Sequence, residues 1–179
     1  LIYGVPSSNL STWKSNLNQV LSFDPPHLST YALTVEPQTV LAHQVKHKKI
    51  DLLDEELVKS QYDCLVERMD EADFENYEFS NFSKQGFNSV NNSNYWKGEA
   101  YTGIGPAAHS FDGKRKRSWN VANNITYMSE IAKNNISVEE EWLNEIQSLN
   151  EFIMIRLRTK DGIDLSEVKM KYGIEKLRG

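Results

Sequence analysis

The residues whose types and spacing could do chemistry are few. Cys64 is the single cysteine, so no disulfide can form within the chain and no pair or triplet of thiols can hold zinc or an iron-sulfur cluster. His43 and His47 stand four residues apart and would share a helical face, a spacing that suits metal ligation. No third ligand lies near them, and a solvated surface is the simpler reading. Lys114-Arg115-Lys116-Arg117 is a basic run between Gly113 and Trp119, readable as a phosphate or nucleic-acid patch or as the decoration of a hairpin or loop tip. Residues 95–110 follow neither helix nor strand periodicity and are rich in small side chains. The backbone there is expected to approach another backbone or a ligand closely, which makes this stretch the expected location of a site. Tyr95 and Trp96 offer aromatic faces within it, as core or as a stacking surface, and His109 offers an imidazole inside a Gly-rich turn.

These groups sit in an ordinary globular composition: 179 residues, 39% hydrophobic, 25% charged, formal net charge −5. Disorder, collagen and coiled coil are excluded. The acidic balance gives no general attraction to nucleic acid, so no nucleic-acid partner is expected. No apolar run approaches the roughly 18 residues of a membrane span, so no integral membrane segment is expected, and a cytoplasmic location is the default.

The elements that must position these residues follow from periodicity. Residues 1–6 read as a buried strand already under way, ended by Pro6. Ser7, Ser8 and Asn9 are candidate caps for a helix carrying Leu10, Trp13, Leu17, Val20 and Leu21, which Asp24-Pro25-Pro26 ends. Residues 28–35 predict a strand, giving a βαβ unit with parallel strands. Asp54 caps a helix to about Ala72 with Val58, Tyr62, Leu65 and Met69 on its apolar stripe, and Cys64 beside it as a small core residue. Residues 76–82 alternate as one strand, and 85–94 predict a loop. Ser137 and Glu140 suggest a capping box for a long helix with Trp142, Ile146, Leu149 and Ile153 on its core stripe, and Asp164 or Ser166 is expected to cap a last short helix. That element runs on to Lys176-Leu177-Arg178-Gly179 with nothing yet to pack against, so both ends are expected to lie inside a larger protein.

Six segments occur in one order along the chain: 1–6 (LIYGVP), 31–39 (YALTVEPQT), 77–82 (YEFSNF), 92–96 (NSNYW), 103–110 (GIGPAAHS) and 151–159 (EFIMIRLRT). Together they resemble the oxygen-independent coproporphyrinogen III oxidase-like branch of the radical S-adenosylmethionine (SAM) proteins, which includes the bacterial haem chaperones. The resemblance implies an α/β fold, the C-terminal portion of a partial (β/α)6 radical SAM barrel over residues 1–136. The start of a small, mainly helical, winged-helix-like accessory domain over 137–179 would follow it. It implies that the whole protein carries an iron-sulfur cluster and SAM, with haem as a further ligand, that its substrate or cargo is a porphyrinogen or haem, and that these residues partner a missing N-terminal half of the barrel.

Of the family's SAM contacts, the fifth-strand wall maps onto Ile2 and Gly4. The His-Asn-x-x-Tyr-Trp motif of the haem chaperones maps onto residues 91–96, with Asn91 in place of the histidine. A carboxamide is a poor axial ligand for haem iron, so His109 is the nearest imidazole by sequence, beside Tyr95 and Trp96 as stacking faces. No catalytic residue and no metal ligand is assigned. The expected function is haem or porphyrin biosynthesis as part of the oxidase, or alternatively haem delivery without oxidase activity, and these residues alone are expected to be inactive and to retain no cofactor.

Overall fold

Asn9 starts the first helix: its side chain accepts the N–H of Thr12 at 2.8 Å and opens α1 (Leu10–Leu21). In the computed structural model, which describes residues 1–135 and 137–173, the chain forms two compact units, Leu1–Ser89 and Val90–Gly179. The expectation about 176–179 lies outside the described residues.

In the first unit β1 (Ile2–Tyr3) precedes α1, and β2 (His27–Ser29) and β3 (Tyr31–Ala32) follow it. β1 and β3 pair in parallel, Ile2 opposite Tyr31 and Tyr3 opposite Ala32, so the predicted βαβ unit is present. The strand expected over 28–35 is not continuous in its pairing. It changes partner at buried Thr30, whose N–H bonds Ser80 O at 2.7 Å, so Leu28 faces Phe82 while Tyr31 faces Ile2. Periodicity describes faces and is blind to such a change of neighbour. Thr39 caps α2 (Val40–Lys46), on which the rings of His43 and His47 lie 4.2 Å apart. Among the described residues no group of three metal-ligating side chains occurs.

Asp54 accepts the N–H of Leu57 at 2.7 Å and opens α3 (Glu55–Glu71), as expected. Leu65, Met69 and Cys64 pack with Tyr3, Trp13, Leu17, Leu28, Phe74 and Phe82 into the core. Gln61 lies wholly buried among them. Its Oε1 accepts the Gly4 N–H at 2.8 Å, its Nε2 donates to Ser8 Oγ at 3.2 Å, and its carbonyl accepts the Trp13 indole N–H at 2.8 Å. One residue thus ties α3 to β1, to the turn after it and to α1.

The strand expected over 76–82 is instead a hairpin of β4 (Glu75–Glu78) and β5 (Asn81–Ser83), and β5 also pairs with β2. Its turn at Phe79 and Ser80 contains neither glycine nor asparagine. The buried carboxylate of Glu78 does the work instead, accepting from the Ser80 N–H at 3.2 Å and from the Asn81 side-chain amide. With no turn residue in the sequence, alternation reads straight through.

The second unit begins with α4 (Val90–Lys97), where the loop over 85–94 was expected to continue to residue 94. It contains an antiparallel sheet of β6 (His109–Phe111), β7 (Lys116–Asn120) and β8 (Val138–Trp142), with α5 (Asn124–Ala132) between β7 and β8. α6 (Glu145–Arg156) and α7 (Leu165–Tyr172) follow, and Asp164 caps α7 as expected. The helix expected from Ser137 is a strand at its start. Ser137 bonds the Glu130 carboxylate through both N–H and Oγ, Glu140 pairs with Lys116 at 2.6 Å, and the true capping box is Asn144 with Gln147, seven residues on. The acidic run Glu139-Glu140-Glu141 lies opposite the basic strand β7, and cross-strand charge pairing prevails over the helical signal. The predicted stripe is only partly core, since Trp142 and Ile146 are exposed. The expected division at 136/137 therefore falls between α5 and β8, inside this unit.

The Gly-rich stretch does bring backbone against backbone. A Cβ on Gly103 would stand 2.2 Å from the His109 carbonyl oxygen, and the Gly103 N–H bonds Ser110 Oγ at 2.9 Å. The following loop uses its polar groups on itself and its neighbours: Gly105 N–H donates to Tyr127 Oη at 3.1 Å, and Asn120 Nδ2 donates to Gly105 O at 2.9 Å.

Gln61→Met, which deprives the buried Gly4 N–H of its acceptor, is expected to lower the unfolding free energy by about 1–3 kcal/mol in a urea titration. Gly103→Ala is expected to cost about 1–3 kcal/mol or more through overpacking, read as loss of the near-ultraviolet circular dichroism of Trp119 on the neighbouring strand. His27, whose Nε2 lies 2.8 Å from Tyr77 Oη, has its pKa lowered by burial, against a smaller opposing pull from Glu78. The unfolded chain therefore binds more protons in the window just below the ordinary value of 6.5, so the stability that His27 contributes is full above that value and is lost as pH falls through the folded pKa. Urea midpoints measured between pH 7.5 and 5.5 should decline, and His27→Gln should flatten that decline.

Candidate functional site

The second unit's site is built on the hairpin of β6 and β7. Asp112 Oδ1 accepts three backbone N–H groups across the turn, from Lys116 at 3.0 Å, Lys114 at 2.8 Å and Arg115 at 2.9 Å, and these donors hold its carboxyl below the usual range. The basic run 114–117 therefore sits at a hairpin tip, one of the two readings its sequence allowed. Three of its four cations are paired, Arg115 with Glu145, Lys116 with Glu140 and Arg117 with Glu151. Lys114 has no carboxylate partner within ion-pair distance among the described residues.

Strand alternation decides what the hairpin presents. Phe111 pairs with Arg117 and His109 with Trp119, so all four share one sheet face. The Arg117 guanidinium meets Glu151 of α6 at two points, 2.8 Å and 2.7 Å, and also lies over the Phe111 ring at 5.8 Å. On that face opens a cavity of about 220 Å³. Tyr95 and Trp96 line it from α4, Tyr101, Phe111 and Arg117 from the sheet region, Phe152 and Glu151 from α6, and Tyr172 from α7. Tyr101 is the centre of the aromatic wall, in edge contact with Tyr95 at 4.7 Å and 6.2 Å from Phe111. Burial pushes its hydroxyl pKa up, and the nearby Arg117 charge opposes this.

Helix α4 explains the spacing of the motif at 91–96. Four-residue steps put Asn91 beside Tyr95 and Asn92 beside Trp96, each pair one turn apart on a common face. Tyr95 is 43% exposed at the cavity edge. Trp96 lies further in, under the Arg158 guanidinium at 5.4 Å, and its indole Nε1 is buried with no hydrogen-bond partner. An unsatisfied buried donor costs about 1–3 kcal/mol, so this atom marks a place where an acceptor would be favoured.

The sequence-predicted residues are thus divided. Tyr95 and Trp96 come together in the cavity wall. His109 does not line it: it is exposed on the same sheet face two residues beyond Phe111, with its ring 5.6 Å from Trp119. Ile2 and Gly4 belong to the first unit. Ile2 is 53% exposed and presents a free apolar side chain. Gly4 has φ +74° and gives its N–H to Gln61, so that donor is already engaged. Of the lining residues, Tyr101 and Phe152 were not singled out from sequence, and Arg117 was read only as part of the basic run. The alternation of Phe111 with His109 and of Arg117 with Trp119 is the signal that could have found two of the strand positions.

The residues present do not fit an iron-sulfur cluster. Cys64 is buried, its thiol pKa is raised by burial, and it stands alone. They fit the edge of a flat aromatic ligand better than its enclosure, because 220 Å³ is below the ~300–1,000 Å³ of ordinary ligand pockets.

No protein-family model matches the chain. It is 30% identical over 174 residues to the haem chaperone HemW of Bacillus subtilis, covering 97% of this chain and 46% of that protein. Radical S-adenosyl methionine domain-containing protein 1, mitochondrial, of Danio rerio is 28% identical over 171 residues, 91% of this chain and 38% of its own length. Among solved structures, the Escherichia coli coproporphyrinogen III oxidase HemN, a radical SAM enzyme, shares the fold with a TM-score of 0.76 at 16% identity, over 97% of this chain and 43% of that one. The chain is a homologue of the haem chaperone HemW and of radical S-adenosyl methionine domain-containing protein 1, shares the fold of HemN, and spans less than half the length of each.

Proposed function

We propose that these residues form the porphyrin-facing part of a radical SAM protein that handles haem, with the cluster and SAM held by residues outside this chain. The observation that carries the reading is α4. A helix in a homologue of haem chaperones sets Tyr95 at the exposed edge of an aromatic cavity and Trp96 behind it. The Tyr95 ring offers a face for a flat macrocycle to stack on, and the rings of Tyr101 and Phe111 continue the aromatic wall beside it. Bound haem would supply an iron centre open to an axial ligand. Asn91 is a poor one, and His109, exposed on the same sheet face as Phe111, is the imidazole assigned to it here. In the first unit Ile2 offers an apolar surface to an adenine.

Delivery of haem is favoured over oxidation of a porphyrinogen for this chain, because the relatives by sequence include proteins named as haem chaperones whereas the oxidase shares the fold at 16% identity. No residue of this chain is assigned a catalytic step in either case.

The test is a haem titration followed by Soret absorbance. Tyr95→Ala is expected to weaken binding about two- to tenfold, and His109→Ala to change the position of the Soret band. A wild-type spectrum identical to that of free haem would overturn the proposal, and an unchanged band in His109→Ala would remove His109 as the ligand.

A further inference from the structure

His43 and His47 are a pair of metal-ligating side chains that the haem reading leaves unused. Helix α2 sets them four residues apart on one face, with ring centres 4.2 Å apart and ring planes tilted by 48°. Both are exposed, and neither imidazole has a hydrogen-bond partner among the described residues. Each ring can therefore turn a nitrogen toward the other without giving up a hydrogen bond.

The separation of the rings selects the ion. With metal–nitrogen bonds of about 2.0–2.1 Å, ring centres 4.2 Å apart subtend roughly 80° at a shared metal. That is close to the right angle between neighbouring ligands in square-planar or octahedral coordination and well below the tetrahedral angle of zinc sites. Copper(II) takes imidazoles in a square-planar arrangement and binds nitrogen ligands more tightly than the other first-row divalent ions. Lys46, Lys48 and Lys49 adjoin the pair in sequence, and their charge opposes any cation, so the ion with the strongest bonds to nitrogen is the one best able to bind.

We propose that His43 and His47 form a two-imidazole clamp for copper(II), with water completing the coordination. The inference does not rest on the porphyrin reading. The clamp spans the same turn that the His47 N–H closes on the His43 carbonyl at 3.1 Å. Since α2 has only seven residues and none of them is buried, a bridge across that turn holds a helix that little else holds.

The probe is copper(II) added to the whole chain in a buffer that does not coordinate it. Its electron paramagnetic resonance spectrum is expected to show two ligating nitrogens, and amide hydrogen exchange over residues 40–49 is expected to slow as the ion binds. His43→Ala and His47→Ala, both at exposed positions, are each expected to weaken binding about a hundredfold. Copper held as tightly by either variant as by the unaltered chain would show an adventitious ion at another imidazole and overturn the clamp. Exchange over residues 40–49 that the ion leaves unchanged would overturn it as well.

Discussion

The second unit depends on the fork between Arg117 and Glu151. A guanidinium and a carboxylate meeting at two points, with the side chains 33% and 24% exposed, fix both distance and orientation between β7 and α6. The same guanidinium covers Phe111 on its own sheet, so one side chain joins the aromatic wall to the helix that faces it. Partial burial raises the stakes of the pair, because removing either member leaves a half-desolvated charge facing aromatic rings. The cavity exists because this contact holds its two sides together.

The rest of the second unit is thinly packed for such a role. Its described residues include only Leu143 and Val168 among the buried hydrophobics, whereas the first unit gathers nine into one cluster around α1 and α3. Stability in the second unit comes more from charge pairs across strands and helices, such as Lys116 with Glu140 and Arg156 with Glu167, and from the close approach that Gly103 permits. The more exposed of these pairs, Lys116 with Glu140, is individually weak, whereas Arg156 with Glu167 is partly buried like Arg117 with Glu151.

Legibility in the sequence follows the same division. α1 and α3 were readable to within a residue or two because a cap, a 3.6-residue stripe and a stop signal agree and the stripe packs into a real core. The hairpin of β4 and β5 was not, since Glu78 performs a turn's hydrogen bonding without a turn residue's signature. α4 was hidden by its three asparagines and one serine, poor helix formers whose propensity is outweighed by tertiary contacts such as that of half-buried Trp96 with Arg158. At Ser137 the local capping signal was genuine in form, but a basic strand far back in sequence offered Glu140 a better partner. The site was legible to the same extent: Tyr95 and Trp96 stood out by type, while Arg117 and Phe152 acquire their meaning only when β7 meets α6.

Gly4 is bonded not by a neighbouring strand but by the side chain of Gln61 on α3. Its amide proton can exchange with solvent only when that helix separates from the sheet or Gln61 swings away. Hydrogen exchange at this one backbone position therefore reports the opening of α3 from β1, at the strand where the wall of the first unit begins.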